Sequence, residues 1–224
     1  MPESTDLQSF LRSNKAAWQF AWKASHDYLL ARFGIRSGLW SGFEMATQAI
    51  EKLLKSYLLF QDGALGGCED AVRRAVSAKA RAGGRLSEFG HDVQSALALA
   101  EPVGLTCSPE LRARVTRIDS YYELRYPGGG PRSLASAEAE DVDEAIFEVW
   151  DAFEAMNPDY YYTSGIMWPI YAYLMDIEHE GKPSPLGSKY FAFMTEENLA
   201  YGRRRARIED GIKERLTRWY RTAG

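Results

Sequence analysis

The chain has 224 residues, of which 46% are hydrophobic and 13% aromatic, a composition that excludes a disordered chain. Its formal net charge of -4 excludes a surface that is basic throughout, although a local basic patch is compatible with it. Cys68 and Cys107 lack the spacing of a metal site or a disulfide framework, and neither a signal peptide nor an apolar stretch of roughly 20 residues occurs. We therefore expect a reduced, cytoplasmic protein without a membrane partner.

The first 60 residues predict two long helices, because their hydrophobic residues recur at helical spacing. The first helix is expected to stop at Gly34. Its predicted buried stripe consists of Leu11, Trp18, Trp22, Leu29 and Phe33. The second helix is expected over residues 39–60, with Glu51, Lys52 and Lys55 on its outer face. Its predicted buried stripe consists of Phe43, Thr47, Ile50, Leu54 and Tyr57.

The middle of the chain predicts three further helices. A short basic helix covers residues 68–80, and a second begins near Gly90 and stops before Pro102. Asp92 falls in the first turn of this second helix, where a carboxylate interacts favourably with the helix dipole. The third covers residues 108–126, with Ser108 as its cap and Pro127 ending it. Its predicted stripe consists of Leu111, Val115, Ile118 and Tyr122.

The remaining third of the chain predicts one regular helix followed by an extension. The regular helix covers residues 136–156, and its stripe consists of Val142, Ala145, Val149, Phe153 and Met156. Residues 157–195 predict an arm with one short helix at 168–177, and a last helix covers residues 196–221. The sequence therefore predicts an all-α fold. We expect an antiparallel up-and-down helical bundle over residues 1–156 and a C-terminal helical extension over residues 157–224.

Three short motifs follow one another in the predicted bundle. They are Glu51-Lys52 with Lys55, then Gly90-His91-Asp92, and then Tyr121 or Tyr122 leading to Arg125-Tyr126-Pro127. In this order and spacing, residues 36–155 resemble the HEPN family of small helical bundles. The resemblance implies a HEPN-like fold, pairing as a homodimer, and association with nucleotides or RNA in toxin-antitoxin or stress and defence systems. We expect no cofactor, and no metal because the cysteines and histidines lack metal-ligand spacing.

The expected function is the binding of a nucleotide or RNA. The residues expected to bind the ligand are Lys52, Lys55, His91, Asp92, Tyr122, Arg125 and Tyr126. Arg125 continues the apolar stripe of its helix and would present five donors to a phosphate. It can equally form a structural salt bridge with Asp92 or Glu123.

Two other functions are compatible with the sequence. Nucleases of the HEPN family carry an arginine, four to six residues and a histidine, and here Arg85 precedes His91 by such an interval. This pair would make the protein a metal-independent endoribonuclease, with His91 in proton transfer and Arg85 on phosphate charge. However, the pair precedes the middle helix, whereas the family nucleases place it on a late one. The third alternative is a non-catalytic protein-interaction module with a cognate protein partner.

The predicted arm is unusually aromatic. It contains Tyr160-Tyr161-Tyr162 and, soon after, Trp168. Such a segment can cover apolar surface on the bundle or on a second copy of it. Alternatively it can stack on bases, helped by the basic cluster of the last helix. That cluster consists of Arg203, Arg204, Arg205 and Arg207.

Overall fold

The computed structural model describes residues 15–65, 93–121, 136–156 and 167–222, which form eight α-helices and contain no strand. The helices are α1 (Lys15–Arg36), α2 (Ser41–Leu65), α3 (Val93–Ala100), α4 (Pro109–Tyr121), α5 (Ser136–Met156), α6 (Trp168–Glu180), α7 (Pro185–Thr195) and α8 (Leu199–Thr222). The prediction of an all-helical fold is confirmed for these residues. No described helix combines the length and the apolar character that a membrane crossing requires. The predicted helix at residues 68–80 lies outside the described residues.

Helices α1 and α2 approach each other closely at the turn that joins them. A Cβ atom built on Gly34 would lie 2.7 Å from the Cα atom of Gly42, so a larger residue at position 34 would push the helices apart. The prediction that Gly34 stops α1 is wrong by two residues, because the helix continues to Arg36. The left-handed backbone that reverses the chain is found at Gly38, where φ is 72°.

The buried face of α1 differs from the predicted one. Trp22 and Phe33 are 37% and 47% exposed, whereas the face turned toward the core carries mostly small side chains and Tyr28. The small buried residues are Ala17, Ala21, Ala24 and Ala31. Alanines allow the close helix contact that α1 makes, whereas indole and phenyl rings would hold the helices further apart. Of the predicted stripe, Leu29 is buried as expected, Trp22 and Phe33 lie on the outer face, and Leu11 lies outside the described residues.

The predicted stripes of the central helices are confirmed. All five stripe residues of α2 are buried, and so are three stripe residues of α4 and four of α5: Leu111, Val115, Ile118, Val142, Ala145, Val149 and Phe153. Ser108 caps α4 as expected, since its Oγ atom accepts a hydrogen bond of 2.9 Å from the backbone nitrogen of Leu111. Glu51 departs from the prediction, because it lies on the expected outer face of α2 but is buried.

Three contacts fix α3 and α4 beside α2. The Gln94 side chain donates to Thr116 Oγ1 at 3.1 Å, and Arg112 forms an ion pair with Glu101, just after α3. The start of α3 therefore lies beside the later turns of α4. Thr47 of α2 donates a hydrogen bond of 3.1 Å to the carbonyl oxygen of Ile118 in α4.

The C-terminal part contains one helix more than predicted. Helix α6 covers the expected short helix and extends to Glu180, and α7 follows where an irregular arm was expected. Ser184 caps α7, because its Oγ atom accepts a hydrogen bond of 3.0 Å from the nitrogen of Gly187, and Pro185 occupies the first turn. Buried side chains of α6, α7 and α8 belong to the same hydrophobic core as α1, α2 and α5.

Candidate nucleic-acid interface

Most of the residues predicted to bind a ligand lie outside the described residues. These are Arg85, His91, Asp92, Tyr122, Arg125 and Tyr126. The structure describes the two remaining candidates, Lys52 and Lys55. Both lie on the partly exposed face of α2, with side chains that are 24% and 19% exposed.

Both lysines are held by carboxylates. Lys52 Nζ forms an ion pair with Asp27 of α1 and lies 3.3 Å from Gln48 Oε1. Lys55 forms an ion pair with Glu51, one turn earlier in α2. Because a buried carboxylate is costly without a cation beside it, Lys55 has a structural role in compensating Glu51. Lys52 is the more available of the two for a ligand.

A row of aromatic rings lies on the outer face of α1. It consists of Trp18, Trp22 and His26 of α1 together with Trp168 of α6 and Tyr190 of α7, and we refer to these five residues as the aromatic strip. The rings of Trp18 and Trp22 are nearly parallel, with their centroids 6.4 Å apart, and the centroids of the Trp22 and His26 rings are 4.1 Å apart. Trp168 stacks on His26 at 5.9 Å and meets Tyr190 edge-on at 5.5 Å.

The spacing of four residues along α1 builds this strip. Residues four apart lie one above another on a helix, so the rings at positions 18, 22 and 26 form a continuous column. His26 Nδ1 donates to the carbonyl oxygen of Trp22 at 2.8 Å, which fixes the orientation of the imidazole ring. The predicted buried stripe contains Trp18 and Trp22 but not His26, and the prediction is wrong for Trp22, which is exposed.

Two lysines lie on or against α1, the helix that carries three of the five rings of the strip. Asp27, which binds Lys52, follows His26 in sequence, and its side chain therefore points about 100° further round α1. Lys23 is exposed one turn before Asp27 and has no ion-pair partner among the described residues. Helix α1 thus carries the exposed cation of Lys23 as well as the rings, whereas the carboxylate of Asp27 offsets the charge of Lys52.

The arginines of α8 do not contribute to this surface as free cations. Arg204 contacts Asp151 at 2.8 Å, Arg207 contacts Glu154 at 2.9 Å, and both acidic partners lie on α5. Arg205 pairs with Glu209 within α8. The sequence predicted that these arginines could assist the stacking of bases. The ion pairs do not support that role, because carboxylates neutralise the arginines.

A cluster of polar side chains lies inside the protein, and no motif in the sequence predicts it. Tyr28 donates a hydrogen bond of 2.6 Å to Asp143, which also forms an ion pair with Arg32. Asn198 donates to the Tyr28 hydroxyl at 2.8 Å. Arg32 also donates to the carbonyl oxygens of Phe193 and Glu196, at 2.8 and 2.6 Å. We refer to Tyr28, Arg32, Asp143 and Asn198 as the buried cluster.

Burial shifts the pKa values of two members of the buried cluster, Asp143 and Tyr28. Burial raises the pKa of Asp143 above its usual value, against the opposing effect of Arg32. Burial also raises the pKa of Tyr28, and the charge of Asp143 adds to this rise. The hydrogen bonds of the cluster link α1, α5 and the turn between α7 and α8. The buried cluster therefore has a structural role.

The thiol of Cys107 is poorly reactive at neutral pH. Burial raises the pKa of its thiol to about 11, and a nearby glutamate, Glu101, adds to the rise. The thiol is therefore protonated at neutral pH, and the thiolate needed for nucleophilic attack is scarce.

Comparisons with known proteins identify no relative. No protein-family model matches the chain, and searches of curated proteins and of solved structures found no match either.

Proposed function

We propose that this chain is a HEPN-like protein that binds RNA or a nucleotide, with bases stacking on the aromatic strip. The resemblance of the three sequence motifs supports the family, and it adds His91, Asp92, Tyr122, Arg125 and Tyr126 as further ligand contacts. It also supports an antiparallel bundle and a role in a toxin-antitoxin or stress and defence system. One observation on the described residues carries the proposal: α1 carries a column of partly exposed rings together with the exposed Lys23, and its Asp27 binds Lys52 of α2.

The rings supply a surface that any base can use. Stacking of a base on an aromatic side chain contributes about 1–3 kcal/mol and depends little on the identity of the base. Trp22 is the most suitable platform, because its side chain is exposed in the middle of the column. His26 and Trp168 hold the column together, since their rings contact one another and their neighbours.

The lysines supply the contacts to phosphate. A lysine ammonium group has three N–H donors, and Lys52 directs two of them to Asp27 and Gln48. The third remains for a phosphate oxygen. Lys23 offers a flexible cation on the same surface of α1, without the carboxylate that offsets Lys52. The net positive charge of the site is small, so we expect moderate affinity that weakens steeply with salt.

Binding of labelled single-stranded RNA tests the proposal. We would measure fluorescence anisotropy with an oligonucleotide of about ten nucleotides, within the usual size of such sites. Trp22→Ala is expected to weaken binding about 5- to 150-fold, because one base loses its platform. Lys23→Ala is expected to weaken binding for all sequences and to lower the salt slope by about one.

Two matched variants control this experiment. Trp40→Ala removes a tryptophan of similar exposure from the turn between α1 and α2, and Lys213→Ala removes an exposed lysine from α8. Both are expected to bind like the parent chain. Equal losses in Trp22→Ala and Trp40→Ala, or no binding by the parent chain at low salt, would refute the proposal. Electrophoresis of the recovered RNA, with chelator present, shows whether cleavage by Arg85 and His91 accompanies binding.

A further inference from the structure

His26 is the member of the aromatic strip whose charge can change near neutral pH. Its ring centroid lies 4.1 Å from that of Trp22 and 5.9 Å from that of Trp168, so the imidazole contacts two indole rings. A histidine side chain changes charge between about pH 5 and 8. The indole of a tryptophan does not titrate, and the phenol of a tyrosine does so only near pH 10. The other four rings of the strip therefore stay neutral where His26 does not.

One nitrogen of the His26 ring has a fixed role. Nδ1 lies 2.8 Å from the carbonyl oxygen of Trp22, and because a carbonyl oxygen only accepts, Nδ1 carries a proton. A neutral imidazole has a single N–H group, so Nε2 of neutral His26 is an acceptor. Nε2 has no hydrogen-bond partner among the residues that the structure describes. A proton gained by His26 therefore binds to Nε2 and turns this acceptor into a donor.

The rings around His26 favour its protonated form. A cation within about 6 Å of an indole centroid is attracted to the ring, and the centroids of Trp22 and Trp168 both lie within this distance. Tyr190 of α7 meets Trp168 on the same strip. Neither a tryptophan nor a tyrosine side chain is charged between about pH 5 and 8. The rings that α6 and α7 contribute thus add no charge that would repel the imidazolium.

The charged side chains near His26 belong to α1 and α2, and they oppose one another. Lys23 lies three residues before His26 on α1, at a spacing that makes the two side chains neighbours, and its charge disfavours a second cation. Asp27 follows His26 in sequence and favours the cation, but its carboxylate already binds Lys52 of α2. The charges around His26 therefore leave both of its protonation states accessible.

We infer that His26 makes the binding of RNA on the aromatic strip pH-dependent, as an acceptor when neutral and as a cationic donor to phosphate when protonated. This inference rests on the proposed function. A phosphate oxygen only accepts, so it cannot bond to Nε2 of the neutral ring, whereas the imidazolium offers both an N–H group and a positive charge. RNA thus binds more tightly as the pH falls. By linkage, bound RNA promotes the protonation of His26 to the same extent.

Calorimetric titration of the full chain with RNA, at low salt and from about pH 5.5 to 8, tests the inference. The probe is an oligouridine of about ten nucleotides without a terminal phosphate, because neither uracil nor a phosphodiester titrates in this range. The affinity of the parent chain is expected to rise about tenfold from the highest to the lowest pH. Titrations near neutral pH, repeated in buffers of different ionisation enthalpy, are expected to show that binding takes up protons.

Two histidine variants assign the effect. His26→Phe keeps a ring against Trp22 and Trp168 but cannot take up a proton, so it is expected to lose most of the pH dependence and of the proton uptake. His179→Phe, in the exposed last turn of α6, is the matched control and is expected to behave like the parent chain. His91 is also a proposed ligand contact, so the readout is the difference between the parent and His26→Phe.

The outcomes separate this inference from the proposed function. Equal affinity of the parent chain at both ends of the pH range, or the full pH dependence of the parent in His26→Phe, would overturn the inference and leave the proposed function intact. Absence of binding by the parent chain at every pH would refute the proposed function, and the inference with it.

Discussion

The buried cluster and the arginines of α8 use the same chemical groups in opposite surroundings. In the buried cluster, Arg32 and Asp143 are both 2% exposed and are enclosed by α1, α5 and the turn before α8. On the outer side of α5, Arg207 is 47% exposed and shares Asp151 with Arg204. Both regions join distant helices through guanidinium and carboxylate groups, but only the first excludes water.

The difference decides what each region contributes to stability. Removing one partner of a buried pair leaves an uncompensated charge and costs about 3–5 kcal/mol. An exposed pair contributes about 0–1 kcal/mol, because water and salt already solvate and screen its charges. Removing one partner of an exposed pair on α8 should therefore cost less than removing one partner of the pair inside the protein. The variants below test this ranking.

Asp143→Ala should have the largest effect. The guanidinium of Arg32 and the hydroxyl of Tyr28 would lose their shared acceptor inside the protein. We expect a loss of about 3–5 kcal/mol in the free energy of unfolding, measured by urea denaturation. Asp141→Ala is the matched control, because Asp141 lies two residues earlier and binds the half-exposed Arg117 at 2.7 Å. Similar losses in the two variants would show that burial does not determine the effect.

Tyr28→Phe should have an intermediate effect and should change the response to alkaline pH. The variant loses a hydrogen bond to a charged group, which contributes about 1.5–3 kcal/mol. Burial raises the pKa of Tyr28, so the folded state keeps the phenol proton while the unfolded state releases it near pH 10. Stability is therefore full below about pH 10 and falls as the pH rises above it. The phenylalanine variant should lose stability less steeply in urea titrations above pH 10.

Tyr201 makes that measurement more specific. Burial raises the pKa of its phenol as well, with a hydrogen bond to Glu209 adding to the rise, so the parent chain contains a second tyrosine of this kind. Tyr28→Phe should consequently remove part of the alkaline loss and leave the contributions of Tyr201 and of Tyr171, whose pKa burial also raises. An unchanged slope above pH 10 would mean that Tyr28 ionises as readily in the folded state as in the unfolded one.

The buried cluster also explains what the sequence could and could not predict. Helix α5 was predicted with both of its ends, because an acidic start and a regular apolar stripe specify it locally. Helix α7 was missed, since its cap at Ser184 follows a proline-containing segment that resembled a loop. The cluster joins Tyr28 and Asn198 across 170 positions, and no local pattern reports such a contact.

The candidate interface also shows a limit of prediction from the sequence. Trp18 and Trp22 belong to the predicted stripe of α1, but periodicity alone does not say which face of a helix is buried. The face was decided by the alanines opposite it, which permit the close contact with α2. Lys52 and Lys55 were correctly placed on the outer side of α2, while their carboxylate partners depend on the packing of the two helices.

Asp151→Asn should have the smallest effect of the three, although it removes the charge of a carboxylate that two arginines share. Arg204 retains Glu144 at 3.6 Å, and Arg207 retains Glu154 at 2.9 Å, so each cation keeps a second partner. The guanidinium of Arg204 also stays over the ring of Phe147, 5.6 Å from its centroid. We expect a loss of about 0–1 kcal/mol in urea denaturation, disappearing at high salt as screening replaces the missing charge. A loss as large as that of Asp143→Ala, unaffected by salt, would mean that the junction of α5 and α8 is as dry as the interior, and that exposure is not what separates the two regions.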